Sequence, residues 1–413
     1  MTNLLWPGDH RAGEHMTDRA LLRSMVAVES AWLRALSAAG LAPIESADAD
    51  LGHLVGEHDC ELLALTAEDG ANPVVGLVAQ LRERSAPAIA AWIHRGLTSQ
   101  DVVDTSLMLG VRAVANHLRD QLCEQVSTLS ELAATYRATP MVARTLTQHA
   151  APTTFGAKAA GWLNGVVDAC ERLSALETPA QIGGAVGIRS ASTELATLTG
   201  ARDPAQLSED IIQSTATALG LSTRAPWQTT RTPVTAAADA FVTCTDCWGR
   251  IASDVVTLAR PEIAELSEPA TEKRGGSSSM PHKRNPVLSI LIRRAAMSVP
   301  QLAATLHTAA ALANDERPDG AWQAEWDTLR TLARRTVVAG SQCGELLAGL
   351  QVHSDTMAEN LGRTDVLGEQ RAIADLVGKA PSTTYFGAVD RLIDQSIDRA
   401  QRVIKQRPSA GPS

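Results

Sequence analysis

The chain has 413 residues, 45% of them hydrophobic and 20% charged, and a formal net charge of −9. That length suits two or three packed units, because single cores stop growing beyond roughly 250 to 300 residues. The composition excludes a disordered chain, no apolar run approaches the roughly 20 residues of a membrane span, and an acidic chain without a basic face is not expected to bind nucleic acid.

Nothing in Met1 to Glu14 has the basic, apolar and small-residue order of an export signal, so a cytoplasmic protein is expected. Aromatic residues are only 3%, while Ala, Leu, Val, Glu and Arg dominate, a mix that favours helices. The expected class is all-α, in three units: an N-terminal one to about residue 100, a central long-helix bundle to about 345, and a short C-terminal one. Leu107, Val111, Val114, Leu118, Leu122, Val126, Leu129 and Leu132 step by three or four along one helical stripe that Pro140 closes. Val234, Phe241, Trp248, Ile251, Val255 and Leu258 predict a second long helix, between Pro233 and Pro261. Gly, Ser, Thr and Pro interrupt the helices at 96–100, 178–192 and 267–286, where binding groups tend to sit.

Candidate chemistry falls on or near these interruptions. Thr98 and Asp101 have capping-box character at the start of the first long helix, and a helix N-terminus attracts anions; Thr98 and Ser99 either bind one there or only cap. The stretch Gly275-Gly276-Ser277-Ser278-Ser279-Met280-Pro281-His282-Lys283-Arg284-Asn285-Pro286 joins a permissive backbone and hydroxyls to a cluster of cations. Such a loop can close over a carboxylate, although a solvated linker has the same composition. Arg317 is either a two-point carboxylate clamp or the partner of Asp315, Glu316 or Asp319. Cys244 and Cys247 have metal-ligand spacing, but no second ligand pair follows, so no metal or other cofactor is expected.

The 275–286 loop resembles the G-S-S-x-M-P-x-K-x-N-P signature of the fumarase/aspartase superfamily. His94 to Thr105 resembles its H-x-G-x-T-S-x-D-x-x-D-T region, and Arg144 to Gly156 its R-T-H-G-x-H-A-x-P-T-T-F-G region. The resemblance implies that Ser277, with Ser278 as its rival, moves a proton at the carbon beside a carboxylate. It implies that Lys283 and Asn285 help bind and orient the substrate, that Thr98 and Ser99 bind a carboxylate, and that His94, Gln148 and His149 line or polarise the site.

Leu146 stands where the first histidine of the third signature belongs, and leucine neither donates nor accepts a proton. Amine elimination needs a proton delivered to a poor leaving group. Addition of a substrate carboxylate to a conjugated double bond does not, because that nucleophile is already ionised at neutral pH. Asn314 to Trp326 resembles the D-E-R-P-x-G-A-W-x-x-E-W stretch of the 3-carboxy-cis,cis-muconate cycloisomerase branch, and Trp162 is implicated in that branch's pocket, with core packing as its alternative. The expected reaction is conversion of the tricarboxylate 3-carboxy-cis,cis-muconate to 4-carboxymuconolactone by a homotetramer with shared active sites. The alternatives are a superfamily lyase acting on adenylosuccinate or argininosuccinate, and a non-catalytic helical protein on the same scaffold.

Overall fold

A computed structural model describes residues 3–269, 274–276, 279–280 and 282–405. About 65% of the chain is helical, and the described residues form fourteen α-helices and two small sheets. In chain order the elements are α1 (Asp18–Ala38), α2 (Asp59–Gly70), α3 (Val74–Arg84), α4 (Pro87–Ala90), α5 (Ser99–Thr135), β1 (Pro140–Thr145), β2 (Gln148–Thr154), α6 (Phe155–Ser174), α7 (Ser190–Leu198) and α8 (Pro204–Ala218). There follow α9 (Thr232–Leu258), β3 (Leu266–Ser267), α10 (Val287–Ala311), α11 (Ala321–Ala348), β4 (Gln351–Val352), α12 (Ser354–Gly362), α13 (Gly368–Val377) and α14 (Val389–Lys405).

The chain divides into two compact units, 1–116 with 176–239 and 300–335, and 117–175 with 240–299 and 336–413. Three consecutive units were expected; compactness groups the residues differently, because α5, α9, α10 and α11 each give one part to one unit and the rest to the other.

In the first unit α1 starts at Thr17, whose hydroxyl accepts from Ala20 N at 3.2 Å, and it buries Trp32, Leu33 and Leu36 against surroundings that include α8. Its core holds an ionic cluster. Arg231 donates to both oxygens of Asp104, at 2.7 and 3.0 Å, and to Glu325 at 2.5 Å, while Trp322 Nε1 donates to Asp104 at 2.9 Å. Burial alone would weaken the Arg231 charge, but the two carboxylates outweigh it and hold the guanidinium firmly protonated.

In the second unit the stripe predicted for α5 is buried from Leu118 through Leu129. After Thr135 the chain forms one of the two small sheets that accompany the all-α fold: Pro140 opens a hairpin in which Met141 pairs with Thr153 and Thr145 with Gln148. Proline cannot continue the helix. Thr154 caps α6, its hydroxyl accepting from Ala157 N at 3.1 Å, and Ala159 and Ala160 of α6 pack with Ala133 of α5 and Ile393 of α14. Cys244 and Cys247 donate to carbonyls within α9, Ala240 O and Cys244 O, and burial raises both thiols well above their ordinary range. Among the described helices α10 alone is long and apolar enough to cross a membrane by length and composition, and it carries Arg293 and Arg294, costly residues in lipid.

Candidate active site

The start of α5 is set by Asp101, a fully buried carboxylate that accepts from Thr98 N at 2.9 Å, Gly183 N at 2.8 Å and Gly184 N at 3.0 Å. This is the returning half of a capping box, and it also pins the 181–184 loop to the helix. Burial pushes the Asp101 carboxyl up to about 6, against the pull of those hydrogen bonds. The Thr98 hydroxyl is turned to another partner, accepting from Arg317 Nη2. Among the described residues Arg317 makes this hydrogen bond to Thr98 rather than an ion pair with Asp315, Glu316 or Asp319, and its Nε is buried without a hydrogen-bond partner. A guanidinium with an unclaimed donor therefore lies beside the first turn of a long helix, with Ser99 next in sequence, an arrangement suited to a carboxylate.

His94 sits in the turn before that helix, at φ +63°. Its Nδ1 lies 2.6 Å from Oε1 of Glu29, which is fully buried on α1 and whose Oε2 has no hydrogen-bond partner among the described residues. The contact with this carboxyl group orients the ring. Sequence reasoning missed Glu29, although an acid inside the apolar run Met25 to Trp32 is the signal that could have found it.

In the second unit the β1–β2 turn is made by Leu146 and Thr147, both left-handed at φ +48° and +71°. Leu146 is 96% exposed. Gln148 is exposed and donates to Thr147 Oγ1 at 3.2 Å, and His149 Nδ1 lies 2.8 Å from Thr364 Oγ1, a partner that sequence gave no reason to expect. Around the glycine and serine loop, Asn285 donates to Gly275 O from its backbone at 2.8 Å and its side chain at 3.1 Å, and Gly276 bridges Arg284. Lys283 is exposed. Ser277 and Ser278 lie outside the described residues. Glu268 caps α10, accepting from Leu288 N at 3.0 Å and Ser289 N at 2.7 Å, so that helix end carries its own anion.

A family described as Lyase matches residues 16–300. The chain is 44% identical over 379 residues to nitrosuccinate lyase of Streptomyces davaonensis, covering 88% of this chain and 78% of that protein. It is 35% identical over 385 residues to 3-carboxy-cis,cis-muconate cycloisomerase of Bradyrhizobium diazoefficiens, covering 91% of this chain and 83% of the relative. The solved 3-carboxy-cis,cis-muconate lactonizing enzyme of Pseudomonas putida superposes with a TM-score of 0.81 at 28% identity, over 95% of this chain and 97% of that one. The chain belongs to the lyase family of the fumarase/aspartase superfamily.

The superfamily signatures divide into residues that present a group and residues that hold the scaffold. Thr98, Arg317, His94, Gln148, His149 and Lys283 carry exposed or partly exposed side chains. Arg144 instead makes a two-point pair with buried Glu265, at 2.7 and 2.9 Å, and Asn360 donates to the same carboxylate at 2.9 Å. Trp322 and Glu325, part of the stretch that suggested the cycloisomerase branch, belong to the Arg231 cluster. Trp162, expected as a pocket residue, is a core residue in this fold. It is 2% exposed, meets Phe155 edge-on at 5.7 Å and donates its indole N–H to Asp254 at 2.8 Å, the packing role given as its alternative.

Proposed function

We propose that this lyase eliminates a weakly basic anion from a succinate-type dicarboxylate, with nitrosuccinate, named for the 44% identical relative, as the leading substrate. One observation carries the reading: the tip of the β1–β2 hairpin presents Leu146, 96% exposed, at the position of the first signature histidine. An amine leaves badly without a proton. Nitrite is the anion of an acid about as strong as a carboxylic acid and leaves with its electron pair unassisted. Ser277, or Ser278, takes the proton from the carbon beside the carboxylate, the electron pair forms the double bond, and the carbon–nitrogen bond breaks to give fumarate and nitrite. Arg317, Thr98 and Ser99 hold one carboxylate, Lys283 and Asn285 orient the substrate, and His94 and His149 polarise the site.

Cycloisomerisation of 3-carboxy-cis,cis-muconate is the second reading, favoured by the TM-score of 0.81 to the lactonizing enzyme. It makes the same use of Leu146, because an ionised carboxylate nucleophile needs no base. In both readings the active form is a homotetramer. Thr98 and Arg317 belong to the first unit, and His149, Lys283 and Asn285 to the second. Sites completed by other copies regain activity when inactive Arg317→Ala and His149→Ala chains are mixed.

The deciding assay presents the purified protein with nitrosuccinate, carboxymuconate, adenylosuccinate and argininosuccinate. Release of nitrite with fumarate supports the first reading. Loss of diene absorbance from carboxymuconate without nitrite release from nitrosuccinate supports the second. Turnover of either amino-dicarboxylate alone sinks both.

A further inference from the structure

One face of α1 looks onto the 50–57 segment and the end of α8 across a cavity of about 610 Å³, within the range of small-molecule sites. No lining residue comes from the three signature segments. Leu22, Val26 and Leu219 give it apolar walls. Its charged groups differ in how far they are already satisfied. Arg19 pairs with Glu57 at 3.3 Å and Arg23 with Glu14 at 3.6 Å, all of them well exposed. Arg34 is half-buried, donates only from Nη1 to Ala49 O at 2.7 Å, and pairs with no carboxylate among the described residues. A partly desolvated guanidinium with most of its donors unclaimed, at the end of an apolar wall, is a positive site awaiting a counter-charge.

We propose that this cavity binds an amphipathic monocarboxylate, with its carboxylate on the Arg34 fork and its apolar body along Val26 and Leu219. Charge selects the headgroup. Arg19 and Arg23 are matched by Glu57 and Glu14, which leaves Arg34 as the lining guanidinium without a carboxylate partner among the described residues, a single charge that one carboxylate balances and a phosphate dianion exceeds. Shape selects the body, since Arg19 and Arg34 stand about 22 Å apart along the helix, which fits an extended ligand better than a compact one.

The probe is octanoate, with octanamide as its neutral match and octyl phosphate as its dianionic one, titrated calorimetrically into the full chain. Octanoate is expected to bind once per chain, at least tenfold more tightly than octanamide and more tightly than octyl phosphate. Arg34→Gln keeps a donor for Ala49 O but removes the charge, and is expected to weaken octanoate at least tenfold. Ala27→Trp places a large ring at an exposed lining position, where the fold tolerates it, and is expected to abolish binding. Unfolding midpoints of both variants establish that each is folded. Absence of saturable octanoate binding to the wild-type chain, binding that neither substitution alters, or tighter binding of octyl phosphate overturns the proposal.

Discussion

Arg317 reaches the mouth of α5 from 219 residues along the chain, and its hydrogen bond to Thr98 sets a guanidinium beside a capped helix end, the arrangement that the proposed carboxylate site uses. A lysine there keeps the charge and loses the planar fork. Arg317→Lys is therefore expected to raise KM by about tenfold or more with a smaller effect on kcat, and steady-state kinetics on the substrate identified above would show it. A fall in kcat alone would instead place Arg317 at the reacting bond. His94 acts through a different device: buried Glu29 holds its ring, so the imidazole is presented in one orientation rather than several.

Among the elements, the β1–β2 hairpin and Gly275 both hold backbone in the left-handed region. A two-residue turn with φ positive at both positions suits Asn-Gly, and Leu146-Thr147 fills it with a bulky and a β-branched residue. Replacing the pair by Asn-Gly is expected to raise stability by about 1 kcal/mol, read as a higher Tm, and to lower activity if the strained tip aims Gln148 and His149. An unchanged Tm would mean that the turn stores no strain. In the loop, Gly275 has φ +80°, and a Cβ added there would lie 2.7 Å from Asn285 O. Gly275→Ala has to part Gly275 from Asn285. It is expected to cut kcat by about tenfold or more while moving Tm little, because the chain's buried core is untouched.

For the molecule as a whole, pH acts through buried carboxyls of opposite sign. Asp101 rises from an ordinary 3.8 to about 6 on folding, so the folded chain holds this proton more tightly than the unfolded one. Its contribution to stability is complete below about 3.8 and is lost as pH rises through about 6. Asp59 moves the other way, held down to about 2 chiefly by its hydrogen bond with Arg84, so its contribution is present above about 3.8 and is lost as pH falls toward 2. Urea midpoints across this range are expected to show Asp101→Asn flattening the decline between about pH 4 and 6. An unaltered decline would show that Asp101 does not titrate there.

The sequence by itself determined what depends on near neighbours along the chain. Unbranched, alanine-rich segments made the helical class legible, the three-and-four spacing of Leu107 through Leu129 drew the stripe that α5 buries, and Thr98 with Asp101 marked where that helix starts. Helical periodicity and capping act over a turn or two, so spacing records them directly. What the tertiary structure alone decided is how groups far apart satisfy one another. Glu29 meets His94 across 65 residues and Thr364 meets His149 across 215. The same packing gives Trp162 to the core and Asp104, Trp322 and Glu325 to the Arg231 cluster, although the motif carrying the last two had read as a mark of substrate chemistry. A buried polar group needs a partner wherever the fold supplies one, and local spacing does not record which residue that is.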